Sequence, residues 1–97
     1  MEEEIKKYVA KNLNYSLAVE NYVDNTGNTN ESIDNAYELL KKYRTIKDSL
    51  SKEEELEMVR KISDIFDFVV DEIGRDNFIF YDDGDINYIW KDGKENE

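Results

Sequence analysis

The sequence predicts a mainly helical α+β fold: three helices followed by a C-terminal β-hairpin packed on them. Three observations carry this. Apolar residues recur at helical spacing as far as Ile73. Beyond Gly74 the pattern changes to short runs of strand formers around an Asp-Gly turn. The 97 residues contain no Pro and only 4 Gly, which fits helices joined by short loops. One small domain over residues 1–90 is expected, with a polar tail at 91–97.

Glu2 to about Asp24 reads as the first helix. Ile5, Tyr8, Val9, Asn12 or Leu13, Ser16 or Leu17, Val19 and Tyr22 or Val23 trace its apolar stripe. Glu2, Glu3 and Glu4 fall in the first turn, where carboxylates complement the helix dipole. Asn12-Leu13-Asn14 is a weak point, and a break there would divide the segment into two helices, four in all. Asn25 to Asn30 is a loop, in which Gly27 accepts positive φ and the Asn side chains compete for backbone hydrogen bonds. The second helix is expected from Glu31 to Lys47 behind an Asn30 N-cap. It would bury Ile33, Ala36, Tyr37, Leu40, Tyr43 and Ile46.

Ser51 opens the third helix, and Glu54 three residues later completes a capping box. Leu56, Val59, Ile62, Phe66, Val69 or Val70 and Ile73 form its apolar face, and Gly74 stands at the C-cap. Phe78 to Tyr81 and Ile86 to Trp90 are then the two hairpin strands. A two-residue Asp83-Gly84 loop would set Tyr81 opposite Ile86 and Ile79 opposite Tyr88. Those four and Trp90 would face the helices, with Phe78, Phe80 and Ile89 on the other side. An isolated hairpin is marginal in water, so the helices must support it.

Acids dominate, with 24 Asp and Glu against 13 Lys and Arg, a net charge of −11. The excess is uneven. Residues 1–48 hold nine acids and seven bases, and residues 49–97 hold 15 acids and six bases. With no His and no Cys, the usual nucleophilic and acid–base inventory is missing, as are thiolate metal sites and disulfides. No glycine-rich phosphate loop occurs, so the chain is expected to be no enzyme and to hold no cofactor. Asp82-Asp83-Gly84-Asp85 fails as a calcium loop, because the glycine falls third in the cluster and position twelve from Asp82 is Gly93. No apolar run approaches a membrane span, and Met1-Glu2-Glu3-Glu4 lacks the basic start of a secretory leader. The expected location is cytoplasmic, that of a bacterial host cell if the chain is of phage or bacterial origin. Lys6-Lys7, Lys41-Lys42 and Arg44 read as i,i+4 partners of nearby acids, not as a nucleic-acid footprint.

The candidate binding residues lie in the acidic half. Glu57, Asp64, Asp67 and Asp71 fall opposite the apolar stripe of the third helix. Asp76, Asp82, Asp83 and Asp85 extend the acid through the hairpin, where Tyr81 and Tyr88 supply aromatic area. Five aromatics on two short strands exceed what one packed face can hide, so one set is expected to be exposed.

The expected partner is a basic protein, such as a nuclease or another nucleic-acid-binding protein, with no direct contact to nucleic acid or membrane. In size, charge and helical content the chain resembles phage-encoded DNA mimics, including anti-restriction and anti-CRISPR proteins. That resemblance implies an acidic inhibitor holding carboxylates where a duplex would hold phosphates, about one every 1.7 Å of axis. The alternative is an immunity protein that neutralises a nuclease toxin. Ser51-Lys52-Glu53-Glu54-Glu55-Leu56 and then Asp76-Asn77-Phe78-Ile79-Phe80-Tyr81 resemble the colicin-nuclease immunity proteins, with Phe80-Tyr81 in the place of their tyrosine pair. The chain departs from them in its longer N-terminal region and in having no proline after the aromatics. A helical adaptor or oligomerisation module is the third class.

Overall fold

The computed structural model describes residues 1–90, so the polar tail expected at 91–97 lies outside the described residues. Three helices, α1 (Glu2–Thr26), α2 (Glu31–Ile46) and α3 (Lys52–Ile73), precede strands β1 (Phe78–Phe80) and β2 (Ile86–Tyr88). Short 3-10 turns, Lys47–Ser49 and Arg75–Asn77, link α2 to α3 and α3 to β1.

Local chemistry sets the boundaries. The Asn30 side chain accepts from the Ile33 amide at 2.9 Å and caps α2. The Ser51 hydroxyl accepts from the Glu54 amide and the Glu54 carboxylate accepts from the Ser51 amide, so the capping box of α3 is complete. Gly27 and Gly74 end α1 and α3 at positive φ, 75° and 114°.

The helices run up, down, up. Tyr43 on α2 donates to Glu55 on α3 at 2.7 Å, which fixes their antiparallel packing. Residue pairs from Glu2–Lys52 to Tyr15–Asp67 set α1 parallel to α3. α3 is the centre: Val59, Ile62, Phe66, Val69 and Val70 are fully enclosed. The Phe66 ring lies flat on Tyr15 of α1 and edge-on to Tyr37 of α2. α1 and α2 each pack mainly on α3, and the Tyr37 hydroxyl of α2 donates to the Ser16 carbonyl of α1 at 2.6 Å. The hairpin packs on α1 through β2.

α1 is continuous, without the break considered at Asn12-Leu13-Asn14. Asn12 is buried and spends its polar capacity on α3. Its amide donates to the Val59 carbonyl at 3.1 Å, and its carbonyl accepts from the Ser63 hydroxyl at 2.5 Å. No group is left to compete with its own helix. Two of the three open positions of the stripe therefore resolve to Asn12 and Ser16, with Leu13 and Leu17 about half exposed, while Tyr22 and Val23 are both partly buried. The buried arc has turned toward Tyr15, Ala18 and Tyr22, because the hairpin covers that flank as well as α3.

The hairpin register is one residue away from expectation. Phe78 pairs with Tyr88, Ile79 with Asn87 and Phe80 with Ile86. The loop has three residues, not two. Gly84 donates to the Tyr81 carbonyl, Tyr81 donates to the Asp85 carbonyl, and Gly84 takes φ 96° as a bulge. The Asp83 carboxylate accepts from the Asp85 amide at 3.0 Å and favours this longer turn. β2 keeps its expected face, with Ile86 and Tyr88 buried, while β1 exchanges faces. Phe78 goes in and Ile79 and Tyr81 go out, the reverse of the expectation. Trp90, expected in the core, is exposed and meets Tyr88 edge-on.

Candidate protein-docking surface on the third helix and the hairpin

Helical geometry sorts the acids of α3. Glu57, Asp64 and Asp71 repeat every seven residues and point away from the core. Arg60 swings off this row to α1, where it pairs with Glu4 at 3.4 Å and lies over the Tyr8 ring. Lys61 leans the other way, into the groove between α2 and α3. The two bases that follow Glu57 therefore flank the row and leave its centre acidic.

The eight candidate acids divide into two groups. Four are tied up inside the molecule. The Tyr15 hydroxyl donates to Asp67, and Arg75 Nε donates to Asp71 at 2.6 Å. Asp83 closes the hairpin turn, and the Asn14 amide donates to Asp85. Glu57, Asp64, Asp76 and Asp82 are exposed and have no hydrogen-bond or ion-pair partner among the described residues. These four are the carboxylates open to a ligand.

Arg75 joins the helix to the hairpin. Its guanidinium bonds Asp71 and lies 4.7 Å from the Phe80 ring centre. The hydrogen bond to Asp71 holds the Arg75 pKa above its ordinary value, against a smaller opposing effect of burial. Asp71 is thereby neutralised locally and Phe80 is fixed over α3.

The aromatic expectation is borne out in kind and changed in membership. Ile79, Phe80, Tyr81 and Trp90 are 42 to 48 % exposed and form the apolar part of the surface. Tyr88, a candidate contact, is instead core, with 5 % of its area exposed. Its hydroxyl donates to Asn25 at 2.7 Å and its ring packs edge-on against Tyr22, Phe78 and Trp90. Its burial follows from β2 keeping the face expected to pack on the helices, which leaves Tyr88 no area for a partner. Sequence reasoning set Phe80 on the outer face but missed Ile79, Trp90 and Arg75 as surface residues. The spacing of Asp83 to Asp85, which favours a three-residue turn, was the available signal.

Two further expectations are corrected. Lys6, Lys7, Lys41, Lys42 and Arg44 make no ion pair with an acid among the described residues. The ion pairs use Lys52, Arg60 and Arg75. Nor does α3 approach duplex charge density. Its 22 residues hold eight acids and three bases, a net of −5. A duplex as long as that helix, about 33 Å, carries about 19 charges.

Among the described residues no acids group into a metal site, and no helix is long and apolar enough to cross a membrane. No protein-family model matches the sequence, and no similar protein is found among curated proteins or solved structures.

Proposed function

We propose that this chain is a small non-catalytic inhibitor that binds a basic, nucleic-acid-binding protein and blocks it. One observation carries the reading: the partner-free carboxylates Glu57, Asp64, Asp76 and Asp82 accompany the exposed Ile79, Phe80, Tyr81 and Trp90. Acids of this kind speed encounter with a cationic surface, and exposed aromatics supply the short-range affinity. With about a quarter of duplex charge density, α3 competes for a few cationic sites and does not reproduce a phosphate backbone. DNA mimicry in this chain is thus local.

A second reading, immunity to a nuclease toxin, is favoured by the adjacent exposure of Phe80 and Tyr81. Those residues stand where the resemblance to immunity proteins puts its aromatic pair.

The test is capture of partners from cells that contain a restriction enzyme, a CRISPR effector or a nuclease toxin. A gel-shift competition with duplex DNA follows. The inhibitor displaces the DNA, and Glu57→Lys/Asp64→Lys/Asp82→Lys weakens capture and flattens its salt dependence. These three positions suit the test because Asp83 and Asp85 also hold the turn. A captured protein that keeps its DNA at saturating inhibitor would sink the blocking role. A captured toxin that loses nuclease activity selects the immunity reading.

A further inference from the structure

We propose that the cleft between α1 and α2 is a second docking site, one that receives an acidic amphipathic helix. It is separate from the acidic surface and does not rest on the function proposed for that surface.

The cleft exists because α1 and α2 pack mainly on α3, and they are bridged toward its far end by the Tyr37 hydroxyl, which donates to the Ser16 carbonyl at 2.6 Å. At one end it opens into a cavity of about 220 Å³, lined by Val9, Leu13, Leu40, Tyr43, Arg44 and Lys47. Val9 and Leu13, followed by Leu17, form an exposed row on α1. Their i, i+4, i+8 spacing repeats at about 6 Å per step, which matches the apolar row of an incoming helix.

Charge selects the occupant. Arg44 and Lys47 stand beside the leucines, and no carboxylate lines this cavity. Neither base has an ion-pair partner among the described residues, although the chain carries 24 acids. The far end of the cleft, lined by Glu20, Asp34, Thr29 and Tyr37, is acidic instead. An incoming helix therefore places its carboxylates at the Arg44 end, with its leucines along Val9, Leu13 and Leu17. The opposite surface, around Asp82 and α3, would repel the same ligand.

The probe is a synthetic amphipathic helix about four turns long, with a leucine row flanked by Glu, and a second peptide with Gln for every Glu. Binding is followed by amide chemical-shift mapping on the full chain. The Glu peptide is expected to bind about fivefold tighter than the Gln peptide, with shifts centred on Val9, Leu13, Leu40 and Arg44. Arg44→Gln/Lys47→Gln abolishes that difference. Leu13→Ser/Leu17→Ser, at positions already exposed, weakens both peptides about tenfold. The proposal is overturned if the two peptides bind equally, if neither binds, or if the shifts fall outside the cleft. It is equally overturned if the free chain dimerises and Leu13→Ser/Leu17→Ser abolishes the dimer, because a second copy then covers the cleft.

Discussion

Asn12 decides more than its size implies. It is a buried polar residue in the middle of α1, bonded to Val59 and Ser63 of α3. Asn12→Ala leaves the Ser63 hydroxyl unpartnered and opens a small cavity, a loss of about 2 to 3 kcal/mol measurable by urea unfolding. Asn12→Leu/Ser63→Ala removes both polar groups and should recover much of that loss. From sequence, Asn12 and Leu13 competed for one place in the stripe, and transfer energy favours the leucine. The asparagine occupies it because a partner stands across the interface, which periodicity within one helix does not encode. Tyrosines give a second prediction at this scale. Burial raises the pKa of Tyr15, Tyr37 and Tyr43, reinforced by Asp67 for Tyr15 and by Glu55 for Tyr43. An unfolded tyrosine titrates at about 10. Folded values lie above unfolded ones, so this stability is complete below about pH 10 and is lost as pH rises further. Near-ultraviolet absorbance should show Tyr15, Tyr37 and Tyr43 ionising only as helicity collapses.

Element boundaries were legible wherever a local device marks them. Ser51 with Glu54, Asn30 and Gly74 each sit where the sequence places a helix end. Ser51→Ala should cost about 1 kcal/mol in urea unfolding, and Glu54→Ala should cost less, since Ser51 satisfies the inner amide. The hairpin was legible as a hairpin and misjudged in register. One extra loop residue exchanges the two faces of β1, and loop length depends on whether the Asp83 carboxylate caps the Asp85 amide. That is a choice between two competent turns, and the pattern of strand residues does not decide it. Gly84→Ala meets no neighbouring atom, so its cost is that of φ 96° alone, about 1 kcal/mol. The effect should stay local, with faster amide exchange in β1 and β2 and little change in α2.

At the scale of the molecule, the acid excess works against compactness. The four salt bridges among the described residues are exposed or partly so, and each is worth little. Added salt should therefore raise the thermal midpoint by screening repulsion across a net charge of −11. Glu57→Gln/Asp64→Asn/Asp82→Asn, at carboxylates without intramolecular partners, should raise it by about 3 °C at low salt. A midpoint that falls with salt would mean that the ion pairs outweigh the repulsion. The candidate surface was half legible for the same reason that the register was not. Which acids face outward follows from helical period, but which are already engaged depends on Asn14, Tyr15 and Arg75 reaching them from elsewhere in the chain.

Those long reaches also order events in time. The hairpin is fastened to α1 at Asn14, through Asp85 of the turn, and at Asn25, through Tyr88 of β2, across sequence separations of 71 and 63 residues. Tyr15, Ala18 and Tyr22 therefore have no hairpin to cover them while the ribosome makes everything from α1 to Asp85. The helices can assemble meanwhile, since α2 and α3 meet through shorter separations. The nascent chain thus passes most of its synthesis with one flank of α1 open, and it closes its core only once Ile86 and Tyr88 emerge.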